Sequence, residues 1–161
     1  MLIFAILFYC IAIVLANYLV SIFGPSITPV NAFVFIGLDL ALRNWLNLQL
    51  NKWQMSAMIF GTGLISYALN DTMQIIAIAS AISFTLASLI DWVVFNKITG
   101  QWIKRANISN TAGALVDSIA FPTIAFGVLM PEIVLLQFLA KVLGGFLWTL
   151  LLTKIPQKAH Q

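Results

Sequence analysis

The stretch from Ala87 to Phe121 decides how this chain is read. It holds Leu89-Ile90-Asp91-Trp92-Val93-Val94-Phe95 and, further on, Leu115-Val116-Asp117-Ser118-Ile119-Ala120-Phe121. Both copies follow one pattern: Leu, Ile or Val, Asp, any residue, Val or Ile, Val or Ala, Phe. Small residues precede each copy, Ala87-Ser88 in one and Gly113-Ala114 in the other. A polar, basic interval from Asn96 to Thr111 separates them and contains Lys97, Lys104 and Arg105. One carboxylate is therefore expected late in an apolar helix that enters a connector. The other is expected early in the helix that leaves it. Antiparallel helices would place the two acids at similar depth, near the connector side.

The solvent gives this pattern its meaning. The chain has 161 residues, 61% hydrophobic and 8% charged, with a mean hydropathy of +1.01. An ordinary globular domain carries about 25% charged residues. There is too little polar surface here to cover a water-soluble core, so the composition indicates an all-α integral membrane protein of one domain, residues 1–161. A charge at the centre of a membrane helix costs about 2.5–3.5 kcal/mol on insertion scales. Two acids in such helices should face protein, water or a ligand rather than lipid. The single cysteine, Cys10, excludes an intramolecular disulfide and a cysteine metal cluster. The only histidine, His160, lies in the tail, so no metal site and no cofactor is implied.

Working outward, hydropathy and turn residues predict six transmembrane helices at about residues 2–23, 31–45, 53–69, 73–95, 111–130 and 133–153. Leu2 to Phe23 is long enough to span a ~30 Å hydrocarbon core. It lacks the basic leader of a signal peptide and reads as a retained helix. Ala12 and Ala16 form a small-xxx-small pair suited to close packing. Gly24 to Pro29 and Asn70-Asp71-Thr72 read as turns. Pro122 lies inside the fifth helix, where it removes the donor to the carbonyl of Ser118 and bends the helix. Seven of the eight basic residues fall on one set of connections. They are Arg43, Lys52, Lys97, Lys104, Arg105, Lys154 and Lys158. The opposite loops hold only Asp71 and Glu132. This bias predicts both termini in the cytoplasm, with the protein in the cell inner membrane. It also explains the net charge of +3 without nucleic-acid binding.

The polar residues inside these helices are the candidate site. Asp39 and Arg43 are four apart on one helix face, in the favourable order. Asp91, Asp117 and Asp39 all fall in the cytoplasmic half, with Lys141 nearer mid-depth and Asn17 and Asn31 toward the outer side. The plainer alternative is internal neutralisation: Asp39 with Arg43 as a self-contained pair, Asp117 with Lys141, and Asp91 bonded to serines. A carboxylate in a cavity also accepts two parallel hydrogen bonds from a fork of N–H donors. Arginine presents such a fork, and so does a guanine-like base. Trp92, Phe84, Phe95, Phe121 and Phe126 are available as aromatic walls, or simply as packing. No phosphate-cradling loop, zinc motif or catalytic triad is present, which argues against an enzyme.

These residues resemble a known family. Val14-Leu15-Ala16-Asn17, the run Asn31-Ala32-Phe33-Val34-Phe35-Ile36-Gly37-Leu38-Asp39-Leu40-Ala41-Leu42-Arg43, the run from Ala87 to Lys97, Asn107-Ile108-Ser109 and the run from Gly113 to Phe126 are similar to the Putative vitamin uptake transporter family. That family includes the queuosine precursor transporters. The resemblance implies a six-helix importer of 7-cyano-7-deazaguanine or a related 7-deazapurine, in a fold like the substrate-binding subunits of energy-coupling-factor transporters. It carries Asp39, Arg43, Asp91 and Asp117 over as the functional polar set. The expected substrate-binding residues are Asn17, Asn31, Asp39, Arg43, Asp91, Asp117, Ser118 and Lys141, with substrate between helices two, four, five and six. The partners expected are a small-molecule substrate and the lipid bilayer. A homo-oligomer or an energy-coupling ATPase partner stays open. Rival readings are a substrate-capture or interaction module that needs a partner, and a small channel.

Overall fold

Helices account for nearly every residue that the computed structural model describes, which are 2–47, 49–69 and 71–152. Helix α1 covers Leu2–Phe23. Gly24, at φ +66°, turns the chain into the 3-10 segment Gly24–Ile27. Helix α2, Thr28–Asn31, runs through a π-helical turn, Ala32–Ile36, into α3, Gly37–Asn47. These three pieces form one rod, which begins three residues earlier than expected because Pro29 fits the first turn of a helix. The remaining helices are α4, Lys52–Leu69, α5, Asp71–Lys97, α6, Trp102–Phe126, and α7, Pro131–Leu152. Gly127 ends α6 in the left-handed conformation and Pro131 opens α7, the usual glycine stop and proline start. Asn70 and the tail residues Lys154, Lys158 and His160 lie outside the described residues.

Among the described residues, three stretches are long and apolar enough to cross a membrane: Leu2–Arg43, Asp71–Lys97 and Pro131–Leu152. The surface agrees with a hydrocarbon solvent. Phe4 is 78% exposed and Phe60 70% exposed, with Leu7, Ile11, Leu15, Leu135, Leu139 and Leu143 similarly uncovered. So much contiguous apolar surface is foreign to a soluble monomer. The interior holds the polar side chains instead, among them Asn17, Asn31, Asp39, Gln137 and Lys141.

Two close approaches hold the helices. A Cβ added to Gly37 would lie 2.7 Å from the Gly144 carbonyl carbon and 2.8 Å from the Gly145 nitrogen, and one added to Gly144 would strike the Phe33 carbonyl. Backbone therefore meets backbone where α7 crosses the π turn and the start of α3. In the α5–α6 hairpin, a Cβ on Gly113 would lie 3.1 Å from the Ala87 carbonyl oxygen and 3.4 Å from Asp91 Cβ. Small residues permit such contacts between membrane helices. Near the other end of α1, Tyr9 and Ala12 pack with Leu38, Leu42, Trp45, Leu46 and Met55 in an apolar cluster.

The connector expected between Asn96 and Thr111 is mostly helix. Arg105 explains why: its Nε and Nη2 groups donate to the Phe95 carbonyl at 3.3 and 3.0 Å. Its guanidinium also stacks 4.1 Å from the centre of the Phe95 ring. An early turn of α6 thus caps the end of α5. Helix α6 therefore begins nine residues earlier than hydropathy alone indicated. Asp91 lies beside Gly113, and Asp117 is four residues further along α6, so the two acids differ by about one helical turn, roughly 6 Å at 1.5 Å per residue. Arg105→Ala is expected to cost about 1–2 kcal/mol, measured as a lowered thermal midpoint in detergent. An unchanged midpoint would remove Arg105 from this capping role.

Candidate functional site

A cavity of about 630 Å³ occupies the interior between the helices. Its size falls in the range of small-molecule sites, about 300–1,000 Å³. The lining is largely apolar, and its polar groups fall into three clusters.

The deepest cluster centres on Lys141, which is 2% exposed. Its ammonium lies 2.9 Å from Asp117 Oδ2 and donates to Ser118 Oγ at 3.1 Å and to Gln137 Oε1 at 3.0 Å. All three of its donors are used. Gln137 Nε2 in turn donates to Thr28 Oγ1 at 2.9 Å, and Thr28 Oγ1 donates to the Pro25 carbonyl at 2.6 Å. One chain of bonds thus joins α6, α7, α2 and the 3-10 turn. Gln137 and Lys141 share a face because they are one helical turn apart.

Asp39 and Arg43 form the second cluster. Their ion pair is long, 3.7 Å, and it is not self-contained. Arg43 Nη1 donates to Ser88 Oγ at 2.8 Å, and the guanidinium lies 4.4 Å from the centre of the Phe84 ring. The pair therefore ties α3 to α5, and Tyr9 of α1 lines the same cavity. The third cluster is amide-based. Asn31 Nδ2 donates to the Ala16 carbonyl at 2.9 Å, an approach that the small Ala16 side chain permits. Asn17 Nδ2 donates to Ser66 Oγ at 3.1 Å.

The structure thus brings Asn17, Asn31, Asp39, Arg43, Asp117 and Lys141 to one cavity. Ser118 stands behind Lys141 as an acceptor and is not part of the lining. Asp91 is outside the lining, beside Gly113. The cavity also extends beyond helices two, four, five and six of the sequence reading: Tyr9 and Asn17 of α1 and Phe60 and Tyr67 of α4 contribute walls. Of the aromatic candidates, Phe84 and Phe121 line it. Trp92 is 66% exposed, Phe95 lies under Arg105, and Phe126 packs edge-on against Phe121 at 6.4 Å. Tyr9, Thr28, Ser88 and Gln137 were not singled out from the sequence as site residues. The spacing of Gln137 and Lys141 was the one available signal.

Two buried acceptors in this cavity, Asn31 Oδ1 and Asp39 Oδ1, have no hydrogen-bond partner among the described residues. Buried polar atoms are nearly always satisfied, so these are positions where a ligand's donors would be well received. Asp117 spends one oxygen on Lys141 and keeps its carboxylate on the cavity wall, with a side chain 17% exposed. Among the described residues no group of three or more His, Cys, Asp and Glu could hold a metal ion.

Apolar helices with membrane-spanning length, arranged around a polar-spotted hollow, define the class: an all-helical protein of the membrane type with an internal cavity of ligand size. Residues 2–155 match the family described as Putative vitamin uptake transporter, and the chain belongs to that family. Membership in a transporter family implies a role other than catalysis. No curated protein and no solved structure matches the chain.

Proposed function

We propose that this protein imports a small, donor-rich heterocycle, a queuosine precursor such as 7-cyano-7-deazaguanine. The reading places it in the cell inner membrane as a single six-helix domain with cytoplasmic termini. The observation that carries the reading is the cavity itself, where Asp117, Asn31 and Asp39 present acceptors while the donors of Lys141 are engaged internally. A 2-aminopyrimidinone edge supplies the matching N–H fork, and a carboxylate accepts it in two parallel bonds. Phe121 and Phe84 border the same space and suit a flat ring.

The test is uptake of labelled 7-deazaguanines by a cell that cannot make queuosine. Asp117→Asn is expected to lower uptake about ten- to a hundredfold, the worth of a charge-assisted hydrogen bond of about 1.5–3 kcal/mol. Asp91→Asn, outside the lining, should have a smaller effect. Full uptake by Asp117→Asn would sink the assignment. Transport by the purified protein in liposomes separates a self-sufficient importer from a capture subunit that needs an ATPase.

A further inference from the structure

A second, smaller cavity of about 220 Å³ lies between α6 and α7. Its α6 residues are Asn107, Asn110 and Thr111, and its α7 residues include Lys141, Leu143 and Phe146. The main cavity uses Gly113, Ala114, Asp117 and Phe121 of α6. The smaller space is therefore displaced toward the end of α6 that follows the 98–101 connector, by roughly 10 Å at 1.5 Å per residue. Among the described residues, two line both spaces: Leu40 of α3 and Lys141 of α7.

We infer that the small cavity is a second station for the transported molecule, and that Lys141, tethered to Asp117, is the movable part of the wall between the two stations. The inference rests on the transporter reading but not on any particular substrate. Three observations support it. First, the two spaces share a border: Leu40 and Lys141 each line both of them. Secondly, α7 packs backbone to backbone against the start of α3 at Gly37, Gly144 and Gly145, so a side-chain movement opens the border with less loss of packing than a parting of these helices. Thirdly, Lys141 is held by acceptors on α6 and α7, with Asp117 itself on the wall of the main cavity. A ligand whose N–H donors engage Asp117 competes with the ammonium for the same carboxylate. Binding in the main cavity then loosens the tether, and the long lysine stem can swing toward the second station. At about 220 Å³ the second station is below the usual ~300–1,000 Å³ of a small-molecule site, so it suits brief passage; the donors of Asn107 and Thr111 are given to the Ile103 and Asn107 carbonyls at 3.0 and 2.7 Å, and their oxygens face a ligand as acceptors.

Cysteine accessibility tests this without any ligand. In a Cys10→Ser background, Ser80→Cys places one thiol on the main cavity. An impermeant maleimide is applied to membrane vesicles of each orientation. A separate Lys97→Cys protein identifies the face on which the 98–101 connector lies. The parent should label slowly from that face. Lys141→Ala should raise labelling from it about tenfold, by making an open state that is normally a minor population the common one. Asp117→Asn, which loosens the tether but keeps the stem, should give a smaller rise. Leu139→Ala, an exposed α7 residue in neither lining, should give none. Melting curves of each variant in detergent exclude unfolding as the cause. If Lys141→Ala does not fold, the Asp117→Asn comparison decides. Equal labelling of parent, Asp117→Asn and any folded Lys141→Ala would overturn the inference, as would fast labelling of the parent from the connector face. Gated labelling without uptake of any 7-deazaguanine would leave the two stations standing and remove the proposed substrate.

Discussion

Gly144→Val is expected to leave almost no folded protein. The Cβ alone would run into the Phe33 carbonyl, and the facing Gly37 Cα lies so close that its own Cβ would meet Gly144 at 2.7–2.8 Å. Overpacking a tight core costs about 1–3 kcal/mol and sometimes more. Here the obstacle is backbone on both sides, which cannot rotate away as a side chain can, so the cost should exceed about 3 kcal/mol. That is a large share of the ~5–15 kcal/mol that holds a typical protein together. The control is Gly61→Ala on α4, where an added Cβ meets nothing within 4 Å. An alanine in a helix interior should be neutral or stabilising by up to about 1 kcal/mol. Size-exclusion profiles and thermal midpoints in detergent read both. A Gly144→Val protein that is monodisperse and melts with the parent would show that α7 does not cross the π turn as described.

Lys141→Met is expected to be the most damaging change within the site, and its rescue the most informative. Removing the ammonium leaves Asp117 without its cation and Ser118 and Gln137 without their donor. Breaking a buried pair from one side costs about 3–5 kcal/mol. Replacing both members by apolar residues is often neutral or stabilising. The double change Asp117→Leu with Lys141→Met should therefore recover most of the thermal midpoint while uptake stays abolished. Recovery of both stability and uptake would show that the pair serves packing alone. Recovery of neither would show that the network through Gln137 and Thr28 is what the fold requires.

Several of these features were legible before any coordinates. Continuous apolar runs gave the helices, because a helix that must satisfy its own backbone in lipid announces itself by length and hydropathy. The i,i+4 spacing placed Asp39 and Arg43 on one face, and both prove buried in the same cavity. The pairing of Asp117 with Lys141 was foreseen as the plainer alternative, and the structure forms it. The start of α6 was missed by nine residues. Polarity marked the interval 102–110 as connector, but a helix can continue past the apolar layer when a side chain such as Arg105 satisfies its neighbour's carbonyl.

The sequence by itself determined that the chain is helical, that its solvent is hydrocarbon, and which few polar residues are costly enough to need an explanation. These follow from local rules: helix period, hydropathy, and the energy of charge in lipid. Only the tertiary structure decided that Asp117 lines the hollow and Asp91 does not, that Gln137 and Thr28 complete the lysine's network, and that Gly37 and Gly144 bring two backbones together. Each of those depends on the rotation and offset of one helix against another. Those are set by the sizes of side chains far apart in sequence, meeting at a crossing that no local pattern records.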